Sequence, residues 1–288
     1  MPHVALATCA EVAEGDEDAP ALAAALAERG VEAASAVWDD AAVAWTDFDL
    51  VVVRSTWDYA ERRDDFLTWA ASLPRVLNPV PVLRRNTDKR YLLELAEAGV
   101  PVVPTKFLEP GESFGTPSGR YVVKPAVSAG SRHAARYEAG ESVEAHVSRL
   151  HSLGRTVMVQ PYLNGIDDEG ETMLIYLAGS YSHAVRKAPL LRPGQLPAAG
   201  LYLEEDIRAT EPTALQRDAA NRALRALNSD GLLQARVDLV PANDGPVVLE
   251  VELTEPSLYL GYAADATERF ADAIARMLES PRSRATVY

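Results

Sequence analysis

Apolar and polar positions change register several times along the chain, and each change marks a part of the fold. In the first third, Val4 to Cys9, Val31 to Val37 and Leu50 to Arg54 are short apolar runs with the length of buried strands. Between them, Ala19 to Arg29, closed by Gly30, and Arg63 to Leu73 carry helical spacing. Val76-Leu77 follows, before Asn78-Pro79. Strand and helix in alternation predict an open parallel sheet with helices on both faces. Such sheets collect ligands at the carboxyl ends of their strands. Arg54-Ser55-Thr56-Trp57-Asp58-Tyr59 lies at such an end. It either lines the pocket of a small polar substrate or caps the strand with Trp57 packed on the sheet.

Asn86-Thr87-Asp88-Lys89 reads as the opening of a helix that runs to Ala98, with Gly99 as its cap and Val100-Pro101 as its stop. A lysine in the first turn opposes the helix dipole unless an anion lies near it. Arg120 to Pro125 reads as a strand carrying Lys124. The loop after it, Ala126 to Arg132, is small and hydroxyl-rich, and so able to bring backbone N–H groups close to phosphate oxygens. Ser142 to Leu153 reads as a helix with His146 and His151 on its surface. Thr156 to Leu163 reads as a strand, Asp167 to Glu171 as an acidic loop, and Thr172 to Leu177 and Tyr181 to Val185 as strands, the second ending in Arg186-Lys187. Arg192 to Ala199 has the composition of a mobile loop, and Ser280 to Tyr288 that of a loosely held tail. Glu211 to Leu227 and Asp265 to Leu278 read as the last helices.

The segment Leu233 to Leu260 organises the rest. Gln234 to Val240 and Val247 to Leu253 read as a hairpin turned at Asn243-Asp244-Gly245. Side chains on a strand alternate faces. Arg236 therefore shares a face with Asp238, and Glu250 shares one with Glu252. Three carboxylates on neighbouring strands repel one another and resist desolvation unless a cation sits among them. Asp238, Glu250 and Glu252 thus read either as solvated acids or as ligands of Mg2+ or Mn2+ in a phosphate site.

Composition narrows the function classes. A chain of 288 residues holds two or three subdomains, and its formal net charge of −14 argues against nucleic acid or an anionic membrane as partner. The one cysteine, Cys9, excludes an intrachain disulfide framework and fits a reducing cytoplasm. The N-terminal stretch lacks a basic segment and does not read as a signal peptide. No apolar run has the length of a membrane span, and no GxxxxGK[ST] loop occurs. Gly111-Glu112-Ser113-Phe114-Gly115 matches the GxSxG pattern of hydrolases, but Pro110 and Pro117 flank it and leave no helix to follow the serine.

The order of the pieces resembles the ATP-grasp superfamily. NTDK before a helix, VVKP before a small-residue loop, VQPYL before an acidic stretch, HAVRK, ARVD and LEVELTEPS span Val76 to Leu260. RSTWDY, SHAVRK and VELTEPSLYL resemble, within it, the branch of D-cycloserine synthetases, the O-ureido-D-serine cyclo-ligases. The resemblance implies an α/β (α+β) fold in three parts. An N-terminal open parallel α/β domain covers residues 1–83, a small lid domain 84–157, and a C-terminal domain with an antiparallel sheet 158–288. ATP would lie between two antiparallel sheets.

It also implies roles. Lys89 and Lys124 resemble the phosphate-contacting lysines, Ser128, Ala129, Gly130 and Ser131 the lid, and Gln160, Pro161, Tyr162 and Leu163 the hinge that reads adenine. Asp167 or Asp168 resembles the carboxylate that holds ribose. Arg186 and Lys187 resemble cations near the γ-phosphate, and Asp238, Glu250 and Glu252 the ligands of two Mg2+ ions. Glu252 stands where the superfamily pattern has asparagine. The substrate would lie among Arg54, Ser55, Trp57, His183, Arg236, Glu255 and Ser257, with Arg236 gripping a carboxylate. The implied activity is an ATP-dependent, ADP-forming carbon–nitrogen ligase that closes a ring in a small molecule. The alternatives are a ligase joining two amino acids or a peptide and an amino acid, and a nucleotide-binding protein without turnover. A homo-oligomer, dimer or tetramer, is the family's habit.

Overall fold

The computed structural model describes all residues except 117, 192–204, 230 and 280–288. The expected loop Arg192 to Ala199 and the tail from Ser280 lie outside the described residues. The N-terminal part is the expected parallel sheet. β1 (His3–Thr8), β2 (Glu32–Val37), β3 (Leu50–Ser55) and β4 (Val76–Leu77) lie in the order β2-β1-β3-β4. α1 (Ala19–Glu28) and α2 (Arg63–Ser72) connect them, and Leu22 and Leu26 of α1 bury against Val4, Leu6, Leu50 and Val52. Gly30, at φ +70°, ends α1 in a backbone conformation that side-chain-bearing residues avoid.

A helix that the sequence did not announce follows. α3 (Val80–Asn86) closes where a helix was expected to open, and α4 (Tyr91–Glu97) begins only after Lys89. Pro79 and Pro81 hide α3 from a reading that treats proline as a stop, although proline is at home in a first helical turn. Asn86 pins the hairpin edge instead. Its amide donates to the Val251 carbonyl at 2.7 Å and accepts from the Leu253 N–H at 2.7 Å.

Two antiparallel sheets follow. β5 (Lys106–Leu108), β6 (Tyr121–Pro125), β7 (Ala135–Tyr137) and β8 (Val157–Pro161) form a four-stranded sheet, ordered β5-β8-β6-β7 and backed by α5 (Glu144–Ser152). The expected boundary after residue 157 falls inside β8, which pairs within this sheet. His146 is a correction. It is buried beside Val147 and Leu150, not on the surface, and burial pushes its pKa down to about 4. The acidic stretch is another: α6 (Gly165–Glu169) replaces the expected loop.

β9 (Glu171–Leu177), β10 (Ser180–Lys187), β11 (Ile207–Thr210), β12 (Gln234–Ala242) and β13 (Gly245–Glu252) form the second sheet, ordered β11-β10-β9-β12-β13. α7 (Ala214–Ala226) covers its back face with Ala219, Ala220, Ala223 and Leu224. A capping box between Thr213 and Gln216 starts α7. α8 (Ala266–Glu279) packs Phe270 and Ile274 against α1 and the other face. No helix among the described residues is long and apolar enough to cross a membrane.

Candidate active site

The β12–β13 hairpin sets the geometry. Its register puts Arg236 opposite Glu252 and Asp238 opposite Glu250, all on the face away from α7. The Arg236 guanidinium donates to both oxygens of Asp238, at 2.8 and 2.9 Å, and to Glu252 Oε1 at 2.5 Å. Lys89, placed by the turn between α3 and α4, reaches Glu250 Oε1 at 3.0 Å and donates to the Ser128 carbonyl at 2.7 Å.

These groups face a cavity of about 690 Å³ between the two antiparallel sheets. Lys89, Lys124, residues 128–131 and residues 160–163 line it, as do Lys187, Arg236, Asp238, Glu250 and Glu252. Trp57, Glu255 and Ser257 line it too. Val103, Val122, Ile166 and Leu249 form an apolar wall beside residues 160–163. Gln160 is buried and donates to Thr105 Oγ1 at 2.9 Å.

Several expected site residues stand behind the wall. Arg186 precedes Lys187 on β10, so it points to the α7 face, in register with Thr172 and Arg208. Arg54 is consumed by structure: it pairs with Asp16 at 2.7 Å and donates to Gln234 Oε1 and the Pro256 carbonyl. Ser55 donates to Thr8 Oγ1. His183 Nε2 bonds the carbonyls of Leu258 and Tyr259 and so fixes the turn that carries Tyr259. Neither Asp167 nor Asp168 lines the cavity. Asp167 instead accepts from the Tyr162 hydroxyl at 2.5 Å and from Arg136 at 3.0 Å, which buttresses the 160–163 segment.

Several cavity residues escaped the sequence reading, among them Asp16, Glu17 and Asp18 after β1 and a group around Lys187. Glu171 lies 3.0 Å and Glu205 3.5 Å from Lys187 Nζ, and Tyr259 donates to Glu205 at 2.7 Å. The alternation of β9 and β10 could have found Glu171, because it pairs in register with Lys187. Glu205 and Tyr259 carry no local signal.

The cavity is overloaded with acid. Asp16, Glu17, Asp18, Glu171, Glu205, Asp238, Glu250, Glu252 and Glu255 line it against Lys89, Lys124, Lys187 and Arg236. Burial pushes Glu252 up to about 8, with Glu250 and Asp238 adding to the rise and Arg236 opposing it. Burial and Glu250 likewise push Glu255 up to about 7 against the pull of Lys89. Burial also weakens the charge of Lys124, whose pKa is lowered, whereas Glu250 holds buried Lys89 above its ordinary value. Among the described residues no group of three His, Cys, Asp or Glu side chains is placed to hold a metal ion, and Asp238, Glu252 and Glu250 are bonded to Arg236 and Lys89 instead. A donor set of carboxylates alone, in surplus over the cations, fits Mg2+ that brings phosphate oxygens and waters as its remaining ligands.

Comparison with known proteins agrees with this architecture. Residues 4–78 match the family of D-cycloserine synthetase DcsG N-terminal domains. The chain is 38% identical to the cycloserine biosynthesis protein DcsG of Streptomyces lavendulae over 302 residues, which cover 97% of this chain and 100% of that one. The crystal structure of D-cycloserine synthetase DcsG is similar with a TM-score of 0.86 at 37% identity, covering 96% of this chain and 99% of the other. The D-alanine–D-alanine ligase of Bacillus anthracis complexed with ATP has a TM-score of 0.71 at 16% identity, over 97% of this chain and 98% of that one, and shares the fold. The chain therefore belongs to the D-cycloserine synthetase family, and it is an ATP-dependent ligase with the ATP-grasp fold.

Proposed function

We propose that the protein closes a ring within one small substrate, O-ureido-D-serine, to give D-cycloserine by way of an acyl phosphate. One observation carries the reading. A single cavity unites Lys89, Lys124, the 160–163 segment and the hairpin carboxylates, in a chain like DcsG along its whole length. The adenine lies against Val103, Val122, Ile166 and Leu249, with the backbone of residues 160–163 at its edge. Lys89, Lys124 and the loop 128–131 receive the phosphates. Two Mg2+ ions held by Asp238, Glu250 and Glu252 would neutralise charge on the transferring phosphoryl group.

The substrate carboxylate takes the γ-phosphoryl group and leaves ADP, the substrate's own O-bound nitrogen loses its proton and attacks the acyl carbon as phosphate leaves, and the carbamoyl group on that nitrogen is then lost with water as carbon dioxide and ammonia to give D-cycloserine. Arg236 and Lys187 stabilise the charge that develops at this end of the cavity. The loop 128–131 keeps water from the acyl phosphate. Trp57, Glu255 and Ser257 form the substrate wall. The reaction belongs in the cytoplasm, where ATP is supplied.

The test is Mg2+-dependent ADP release across a panel of amino acids, dipeptides and O-ureidoserine, with products read by mass spectrometry. A ring-closed product of one substrate is expected. Two joined substrates would replace this reading with that of an amino-acid ligase. Release of AMP and pyrophosphate would overturn the acyl phosphate.

A further inference from the structure

We propose that Glu61, which does not line the cavity, is a positioning residue that holds the loop 128–133 over the nucleotide phosphates through Arg132, His133 and Arg155. The inference rests on the reading of the cavity as an ATP site. Glu61 closes the short helical stretch Trp57–Glu61 that follows β3 in the N-terminal domain. Its partners all belong to the four-stranded lid domain. Arg155, just before β8, contacts Glu61 Oε2. His133 Nε2 lies 3.5 Å and Arg132 Nη2 3.7 Å from Glu61 Oε1.

The loop needs such ties. Ser131 at φ 58° and His133 at φ 59° occupy the left-handed region, which is costly for residues other than glycine. Residues 128–131 line the cavity, so their position decides how well it is sealed. Lys89 anchors the start of the loop through the Ser128 carbonyl. Glu61 anchors its end. Without Glu61, the Arg132 and Arg155 guanidiniums would lose their shared counter-ion at this junction. Trp57 and Tyr59, on the same short stretch as Glu61, line the substrate end of the cavity. The carboxylate therefore links the substrate wall to the phosphate lid, so a substrate that settles the wall also settles the lid.

The consequence is chemical. A loosened lid admits water to the acyl phosphate, which hydrolyses to carboxylate and inorganic phosphate, and ADP is then made without product. The experiment compares wild type, Glu61→Gln and Glu61→Asp by two readouts. The first is tryptic cleavage after Arg132, mapped by mass spectrometry, with and without Mg2+ and a non-hydrolysable ATP analogue. The analogue protects wild type, Glu61→Gln loses about three- to tenfold of that protection, and Glu61→Asp regains part of it. The second is ADP released per ring-closed product, which rises about three- to tenfold in Glu61→Gln and less in Glu61→Asp. Equal protection and equal stoichiometry in Glu61→Gln and wild type would overturn the role of Glu61. An analogue that fails to bind wild type in calorimetry would overturn the nucleotide reading itself, and this inference with it.

Discussion

The two faces of the five-stranded sheet are built from the same strands and obey opposite rules. On the back face, Leu174, Tyr176, Ala184, Val237, Leu239 and Val251 pack on α7. Burial of apolar area stabilises that face at roughly 25 cal/mol per Å² without any demand for a precise partner. On the front face, Lys187, Arg236, Asp238, Glu250 and Glu252 sit at the cavity, each held by a charge of opposite sign. Arg186 and Lys187 are chain neighbours, yet one faces α7 and the other faces the cavity. The back face is apolar where α7 packs on it, whereas the front face is divided: Met173, Ile175, Leu177 and Val185 pack with α1 and α8, and only the rest of that face carries the charges of the cavity. The front face is the less stable bargain, because desolvated carboxylates outnumber the cations beside them.

The largest expected effect that sharpens this contrast is on Lys187. Replacement by alanine lowers kcat for ADP release on the order of 100–1000-fold. A loss below about tenfold would make Lys187 a structural partner of Glu171 and Glu205 and break the contrast.

An intermediate effect follows from the acid surplus. The Glu255 pKa rises from 4.5 to about 7 on folding, so the folded state holds that proton more tightly than the unfolded state. The stability it contributes is fully present below pH 4.5 and is lost as pH rises through 7. The ligand-free protein melts at lower temperature at pH 7.5 than at pH 5, by a few degrees, and Glu255→Gln reduces that slope, leaving the part of the same sign that comes from Glu252 (melting followed by circular dichroism). An unchanged slope in the variant would assign the pH dependence elsewhere.

The smallest effect is on the back face. Arg186→Ala leaves steady-state kinetics within about threefold of wild type. A loss like that of Lys187 would show that the face behind the cavity takes part in the chemistry.

How much was legible can be read from particular residues. Val143, just before α5, and His146, Val147 and Leu150 on it have the spacing of one buried stripe, and all four are buried. A histidine read by its polarity alone was placed outside, although its neighbours in that stripe pointed inward. β5, β7 and β11 are three or four residues long, too short for a period to emerge from the sequence. Arg54 is buried at 2% exposure and committed to Asp16 and Gln234, which lie 38 and 180 positions away. No local pattern encodes such partners.

The sequence by itself determined what is local. Strand alternation, with a period of two, put Arg236 with Asp238 and Glu250 with Glu252 on common faces. Turn residues placed the hairpin, and the order of short motifs placed the lysines and the 160–163 segment on the cavity. Tertiary structure alone decided what depends on packing between distant segments. It placed Lys89 on Glu250, retired Arg54, Ser55, His183 and Asp167 to the scaffold, and brought Glu205 and Tyr259 to Lys187. The physical reason is range. Backbone geometry fixes the direction of a side chain within its own strand, whereas its partner is fixed by which elements bury their apolar faces together.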